Sequence, residues 1–152
     1  MRLLRRRWFR ILAALVVLLG AYRLVRKPWL LPKPPRPDAA TFEQAKRVRI
    51  VRDTYGVPHI HGTSDADAAF GLAYANAEDD FPMMQGVLAA STGRLSLIKP
   101  SKESLANDYY VGLVRVREQV RDGYDRLSAD YRAVLDGYAR GFNLYAYLHP
   151  EE

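Results

Sequence analysis

The sequence predicts an α+β chain: an N-terminal membrane or signal helix, a proline-rich spacer, one β-hairpin, and about four helices after it. Three observations carry this prediction. An unbroken apolar run, Ile11 to Tyr22, follows an arginine-rich start. Five of the nine prolines fall within Pro28 to Pro37. Beyond them a short period-2 stretch gives way to apolar residues spaced three and four apart. The divisions expected are residues 1–27 as signal anchor or signal peptide, 28–45 as Pro-rich linker, and 46–152 as the body.

The twelve apolar residues of the leader would span about 18 Å as helix, short of a hydrocarbon core of about 30 Å. A buried core helix is one reading, but the N-terminal position and basic flank favour targeting. Gly20-Ala21-Tyr22-Arg23 supplies no small-x-small cleavage site. With Trp8 and Phe9 at one interface and Arg10 and Arg23 snorkelling, residues 8–25 suffice for an uncleaved anchor. The N-terminal arginines then stay cytoplasmic and the body lies outside the inner membrane, although Arg23, Arg26 and Lys27 weaken that orientation. Pro28 to Pro37 can be neither helix nor central strand and reads as an extended stalk.

Val48, Ile50 and Arg52 alternate with Arg49, Val51 and Asp53 as in a strand. Tyr55-Gly56 breaks the run where glycine can take positive φ, with Asp53 as a turn residue, and Val57 to His61 returns. Pro58 marks an edge strand or strand start. Ser64 with Asp67 three residues on is an acidic variant of the capping box. Ala66, Ala69, Phe70, Ala73, Tyr74 and Ala77 then repeat at helical spacing, with small residues that permit close packing. Glu78-Asp79-Asp80 offers a second cap, with Pro82 tolerated in the next first turn and Met83, Met84, Val87, Leu88 and Ala90 as its expected buried side. Gly93 is a natural stop. Lys99 to Ala106 reads as a loop, and Asn107 as the cap of a third helix holding Tyr110, Leu113, Val114, Val116 and Val120. Ser128 caps a fourth, whose expected stripe is Tyr131, Val134, Leu135, Tyr138, Phe142 and Tyr145, ending near His149-Pro150. Gly137-x-x-x-Gly141 on this helix reads as a close-packing feature of a soluble body.

The formal charge of +6 does not mark a nucleic-acid surface. Ten cations and no acid lie before Asp38, which leaves 13 Lys and Arg against all 17 acids, a formal −4 over residues 38–152. Nucleic-acid binding needs clustered cations on the body itself. Cysteine is absent, which excludes disulfides and thiolate metal sites.

Four groups of residues invite chemistry, and each has a simpler structural reading. Thr63 follows the only Gly-Thr step, a junction type at which self-cleaving enzymes expose a nucleophile, yet its context is a helix start. His59 and His61 share one side of a strand, but zinc needs a third ligand, and only Asp65 or Asp67 lies near. Glu78, Asp79 and Asp80 could hold calcium or act as an acid/base pair, but adjacent positions project in different directions. His149 suits a helix end and has no local serine partner. The tyrosines Tyr124, Tyr131, Tyr138, Tyr145 and Tyr147 are read as core or interface. No residue is assigned a catalytic, substrate-binding or metal-binding role.

The blocks Arg52-Asp53-Thr54-Tyr55-Gly56-Val57-Pro58-His59-Ile60, Gly71-Leu72-Ala73-Tyr74-Ala75-Asn76-Ala77-Glu78-Asp79, Gly93-Arg94-Leu95-Ser96, Asn107-Asp108-Tyr109 and Gly137-Tyr138-Ala139-Arg140-Gly141-Phe142-Asn143 stand in order. Together they resemble the opening of the penicillin acylase family, secreted amidases that include penicillin, aculeacin and acyl-homoserine lactone acylases. The resemblance covers roughly Lys46 to Leu148. It implies part of the α chain of an αββα N-terminal-nucleophile hydrolase, made as a longer zymogen that cuts itself into α and β chains. The first β residue, usually Ser, is then nucleophile and, through its own amino group, base.

The expected function is therefore the N-terminal portion of an amidase acting on β-lactams, lipopeptides or acyl-homoserine lactones, inactive alone. No cofactor is expected in this chain, with calcium implied only for the full-length enzyme. The expected partners are the C-terminal β part, a small acylated amine, and the membrane through residues 8–25. The expected location is extracytoplasmic, anchored to the inner membrane. The competing expectation is a membrane-anchored, non-catalytic helical binding module.

Overall fold

The structure, a computed structural model, describes residues 35–150 and Gly20. The leader and most of the spacer lie outside the described residues. Among those described, no helix is long and apolar enough to cross a membrane.

The elements run α1 (Ala39–Ala45), β1 (Arg49–Arg52), β2 (Pro58–His61), α2 (Asp65–Ser91), α3 (Leu95–Ile98), α4 (Lys102–Leu113), α5 (Val116–Tyr124) and α6 (Ala129–Leu148). The strands form an antiparallel pair in which Arg49 faces His61 and Arg52 faces Pro58. Gly56 turns it at φ 82°, and the Asp53 carboxylate accepts from the amides of Tyr55 and Val57. The hairpin and its turn therefore follow the expectation.

The α2 helix starts where Ser64 accepts from the Asp67 amide. It is then interrupted at Asp80 (φ −160°, ψ 75°). There the Asp80 carboxylate accepts from the Met83 amide and recaps the chain. Pro82 sits in the turn where a missing N–H leaves no bond unmade. The two expected helices are thus one element with a capped kink.

Three expectations are corrected. Residues 39–45, assigned to the linker, are helical, because Asp38 accepts from the Thr41 amide and hydroxyl. Lys99 to Ala106 is not a loop throughout: α4 starts at Lys102 with Ser101 as its cap. Asn107 lies inside that helix and donates to the Ala90 carbonyl instead of capping. A helix break at Arg115, in the left-handed region at φ 54°, separates α4 from α5. Five helices therefore follow the hairpin, one of them the four-residue α3.

The core is the crossing of α2 and α6. Gly137 and Gly141 lie against the backbone of α2: a Cβ on either would collide with the carbonyl of Ala66 or of Phe70. The buried residues at the crossing are Phe70, Ala73, Ala77 and Phe81 from α2, with Leu144 and Tyr145 from α6. Tyr145 meets Tyr74 edge-on at 5.4 Å and Phe81 at 5.3 Å between ring centres. The small-residue reading of both helices stands. The stripe expected on α6 is displaced, however: Gly137, Gly141, Leu144 and Tyr145 are buried, while Tyr131 and Leu135 are exposed. Glycine, which an apolar-periodicity reading passes over, sets the buried face. Gly71, on another side of α2, receives the hairpin; a Cβ there would be 2.6 Å from Ile60 and 2.7 Å from Val48.

One half-buried ion pair ties the start together. Asp67, fully inside, takes both the Nε and an Nη of Arg47 at 3.1 and 3.0 Å, and the Thr63 hydroxyl. The Arg47 bond, ahead of the Thr63 bond and against the cost of burial, holds the Asp67 carboxyl at about 2. Gln44 adds a bond to the Ala66 carbonyl. The bend after α1 is thereby fixed to the start of α2.

Two outcomes follow for urea unfolding. Gly141→Ala is expected to cost about 2–3 kcal/mol by overpacking. Gly86→Ala, in the partner helix α2 with open space around it, is expected to gain about 0.5–1 kcal/mol from the better helix former. Equal effects would contradict the crossing described. Because the folded pKa of Asp67 is depressed, its contribution is complete above the ordinary carboxylate value and is lost as pH falls through about 2. Asp67→Asn is expected to remove about 2 kcal/mol of pH-dependent stability between about pH 4 and pH 2. A wild-type-like acid slope in that variant would contradict the assignment.

Candidate functional site

Beyond the kink, α2 carries its apolar side past the reach of α6. Met83, Val87 and Leu88, expected to be buried, are 58%, 62% and 53% exposed. Met84 alone of that side packs against the Phe81 and Tyr145 cluster. The result is a groove of about 750 Å³ between Asn76–Ser91 of α2 and Tyr138–Asn143 of α6, lined by Met84, Leu88 and Phe142 among others. Asp79 and Asp80 border it.

The acidic triplet does two separate jobs. Glu78 and Asp79 both take the Arg52 guanidinium, at 3.1 and 2.9 Å. Asp80 caps. Arg52 also donates to the carbonyls of Gly56 and Ala75, so β1, the turn and α2 converge on one guanidinium. The bonds it donates to Glu78 and Asp79 raise the Arg52 pKa. A shallow concavity of about 530 Å³ lies here, with Tyr145 and His149 on its wall. His149 stacks on Tyr145 at 4.3 Å. No sequence-local signal connects Arg52 to acids 26 residues away.

The other candidates resolve into structure. The Thr63 hydroxyl faces only Asp67, and a carboxylate with pKa about 2 is too weak a base to activate it. His59 lies 3.3 Å from Asp53, while His61 stands exposed at the strand end. Among the described residues no three His, Asp or Glu gather as metal donors. Tyr124 donates to Asp136, which raises its pKa.

Asp108 is the residue that sequence reasoning missed. From α4 it accepts from the amides of Leu95 and Ser96, each at 2.9 Å, and so caps α3 across the turn. The Ser96 side chain contributes most to holding its carboxyl at about 2. Its position one after an asparagine, opposite a glycine stop, was the available signal.

The arrangement can clamp, cap and expose an apolar surface. It assembles no nucleophile, base and oxyanion donors among the described residues.

Comparison with known proteins fits this geometry. The family described as Penicillin amidase matches residues 47–152. An acyl-homoserine lactone acylase, QuiP, of Pseudomonas syringae pv. syringae (strain B728a) is 31% identical over 108 residues, 71% of this chain and 13% of the relative. The acyl-homoserine lactone acylase PvdQ of Pseudomonas fluorescens (strain Pf0-1) is 26% identical over 103 residues, 63% of this chain and again 13% of the relative. Among solved structures, a thermostable penicillin G acylase from Alcaligenes faecalis superposes with a TM-score of 0.62 at 27% identity, covering 69% of this chain and 55% of that one. The chain thus spans about one-eighth of the length of the curated relatives it matches.

Arg52→Leu is expected to lower the urea midpoint more than Asp79→Asn or Glu78→Gln, because it also strands two backbone carbonyls. The effect of either acid variant should shrink in high salt, as expected of exposed pairs. An Arg52 variant as stable as wild type would show that the hairpin is held by packing alone.

Proposed function

The chain belongs to the penicillin amidase family, and on that premise we propose that it is the N-terminal scaffold of an amidase acting on acylated amines. The substrate class proposed is acyl-homoserine lactones, with β-lactam side chains and lipopeptides as related acyl amides. The family match over residues 47–152, with relatives named as acyl-homoserine lactone acylases, supports this reading.

The nucleophile is assigned to further chain outside these residues, as the first residue of a β part released by self-cleavage. Its hydroxyl oxygen attacks the amide carbonyl, its own amino group takes the proton and delivers it to the leaving amine, and water hydrolyses the acyl-enzyme. Residues 1–152 contribute no reacting atom in this scheme. They supply the glycine-packed helix pair and the hairpin on which the reacting part is held. The extracytoplasmic location and the anchor at residues 8–25 belong to the same proposal.

The non-catalytic binding module is the second reading, and the exposed groove favours it. One experiment separates the two. The complete product of the gene, and residues 1–152 alone, are each assayed with N-decanoyl-homoserine lactone and a chromogenic acyl amide. Self-cleavage and acid release by the complete product, with none by residues 1–152, are expected. Turnover by residues 1–152 would place the nucleophile here and refute the scaffold reading; no turnover by either would favour the binding module.

A further inference from the structure

We propose that the short helix α3 and the turn after it form a tip that docks on an anionic lipid bilayer. This rests on the anchored reading above, which brings the chain to a membrane, and it adds the part of the body that meets the lipid.

Two observations carry it. The first is an apolar tip that is held out instead of being folded in. Leu97 is 80% exposed and Ile98 60%, side by side in one turn of helix. Polar bonds secure that turn: Asp108 accepts from the amides of Leu95 and Ser96, and Asn107 donates to the Ala90 carbonyl just before it. Leu97 and Ile98 can therefore leave water without any of these bonds breaking. The helix α4, packed against α3, adds an exposed stripe of Leu105, Tyr109 and Leu113, one residue in every four. Tyrosine is itself a residue of the membrane interface.

The second is charge. Arg94, Lys99 and Lys102 stand exposed on either side of the tip in sequence, and Glu103 is the single acid between residues 91 and 105. That stretch carries a formal +2, while the rest of residues 38–152 carries −6. The cations of an acidic body thus gather where its aliphatic side chains stand out. A protein cover would need only apolar complementarity, whereas a cationic collar around an apolar tip matches phosphate headgroups above acyl chains. The long Lys and Arg stems reach the headgroups while Leu97 and Ile98 enter the acyl boundary. So small a tip holds a chain to a bilayer only weakly by itself, and it acts as the second contact of a chain already tethered.

The chain has no cysteine, so Leu97→Cys can carry a single environment-sensitive NBD probe. Tyr131→Cys, exposed at the start of α6, carries the same probe as control. The full chain is reconstituted with vesicles of equal parts phosphatidylglycerol and phosphatidylcholine, or of phosphatidylcholine alone, each with a nitroxide on the lipid acyl chain. Flotation reports the anchor, and quenching reports the tip. In the anionic vesicles, quenching at residue 97 is expected to exceed that at residue 131 about twofold or more. Lys99→Gln with Lys102→Gln is expected to cut it by about half. Equal quenching at the two positions would overturn the proposal, as would quenching at residue 97 that ignores both phosphatidylglycerol and the lysines. A probe at residue 97 that shifts to the blue with no nitroxide quenching, the signature of cover by a second copy or by further chain, would overturn it too. A chain that floats with the vesicles while residue 97 stays unquenched would sink the docking and leave the anchored reading standing. A chain that does not float would overturn both.

Discussion

The distance at which α6 crosses α2 constrains everything else. Without side chains at Gly137 and Gly141, the α6 backbone comes down onto the carbonyls of Ala66 and Phe70. Dispersion contacts between two backbones replace those of interdigitated side chains. That approach brings Tyr145 within ring contact of Tyr74 and Phe81. The opposite economy holds at Gly71, which admits the hairpin. One helix is therefore packed closely on two sides, and beyond Asp80 its Met83, Val87 and Leu88 stand exposed among the described residues.

The motif blocks that carry the family resemblance act as joints between the elements of the fold. Arg52 to Ile60 is a turn closed by Asp53 and latched by Arg52 onto Glu78 and Asp79. The second block is the small-residue face of α2. Gly93 to Ser96 and Asn107 to Tyr109 meet each other: Gly93 takes positive φ against the Asp108 carbonyl and Val111, while Asp108 caps Leu95 and Ser96. The last block is the glycine pair of α6.

Much of this was readable before any fold was known, because it is local. Ser64, Ser128, Asp53, Gly56 and Gly93 act within four residues of themselves, and their residue types name their jobs. Gly137 and Gly141 were readable as a close approach, although their partner was not. What escaped the sequence was long-range or ambiguous in face. Arg47 finds Asp67 twenty residues on, and Arg52 finds Glu78 across twenty-six. Periodicity also showed that Met83, Val87 and Leu88 form an apolar side, yet it could not say whether this chain covers that side. Asp38 and Ser101 were overlooked as caps because each follows prolines that read as spacer or loop.

Native-state hydrogen exchange tests the central claim, that the glycine-seated crossing is the last part of the body to open. The slowest amides are expected between Phe70 and Ala77 of α2 and between Gly141 and Tyr145 of α6, exchanging only through global unfolding, with the hairpin and α5 faster. If the hairpin or α5 were protected longest while those two stretches exchanged early, the crossing would be a consequence of the fold and not its foundation.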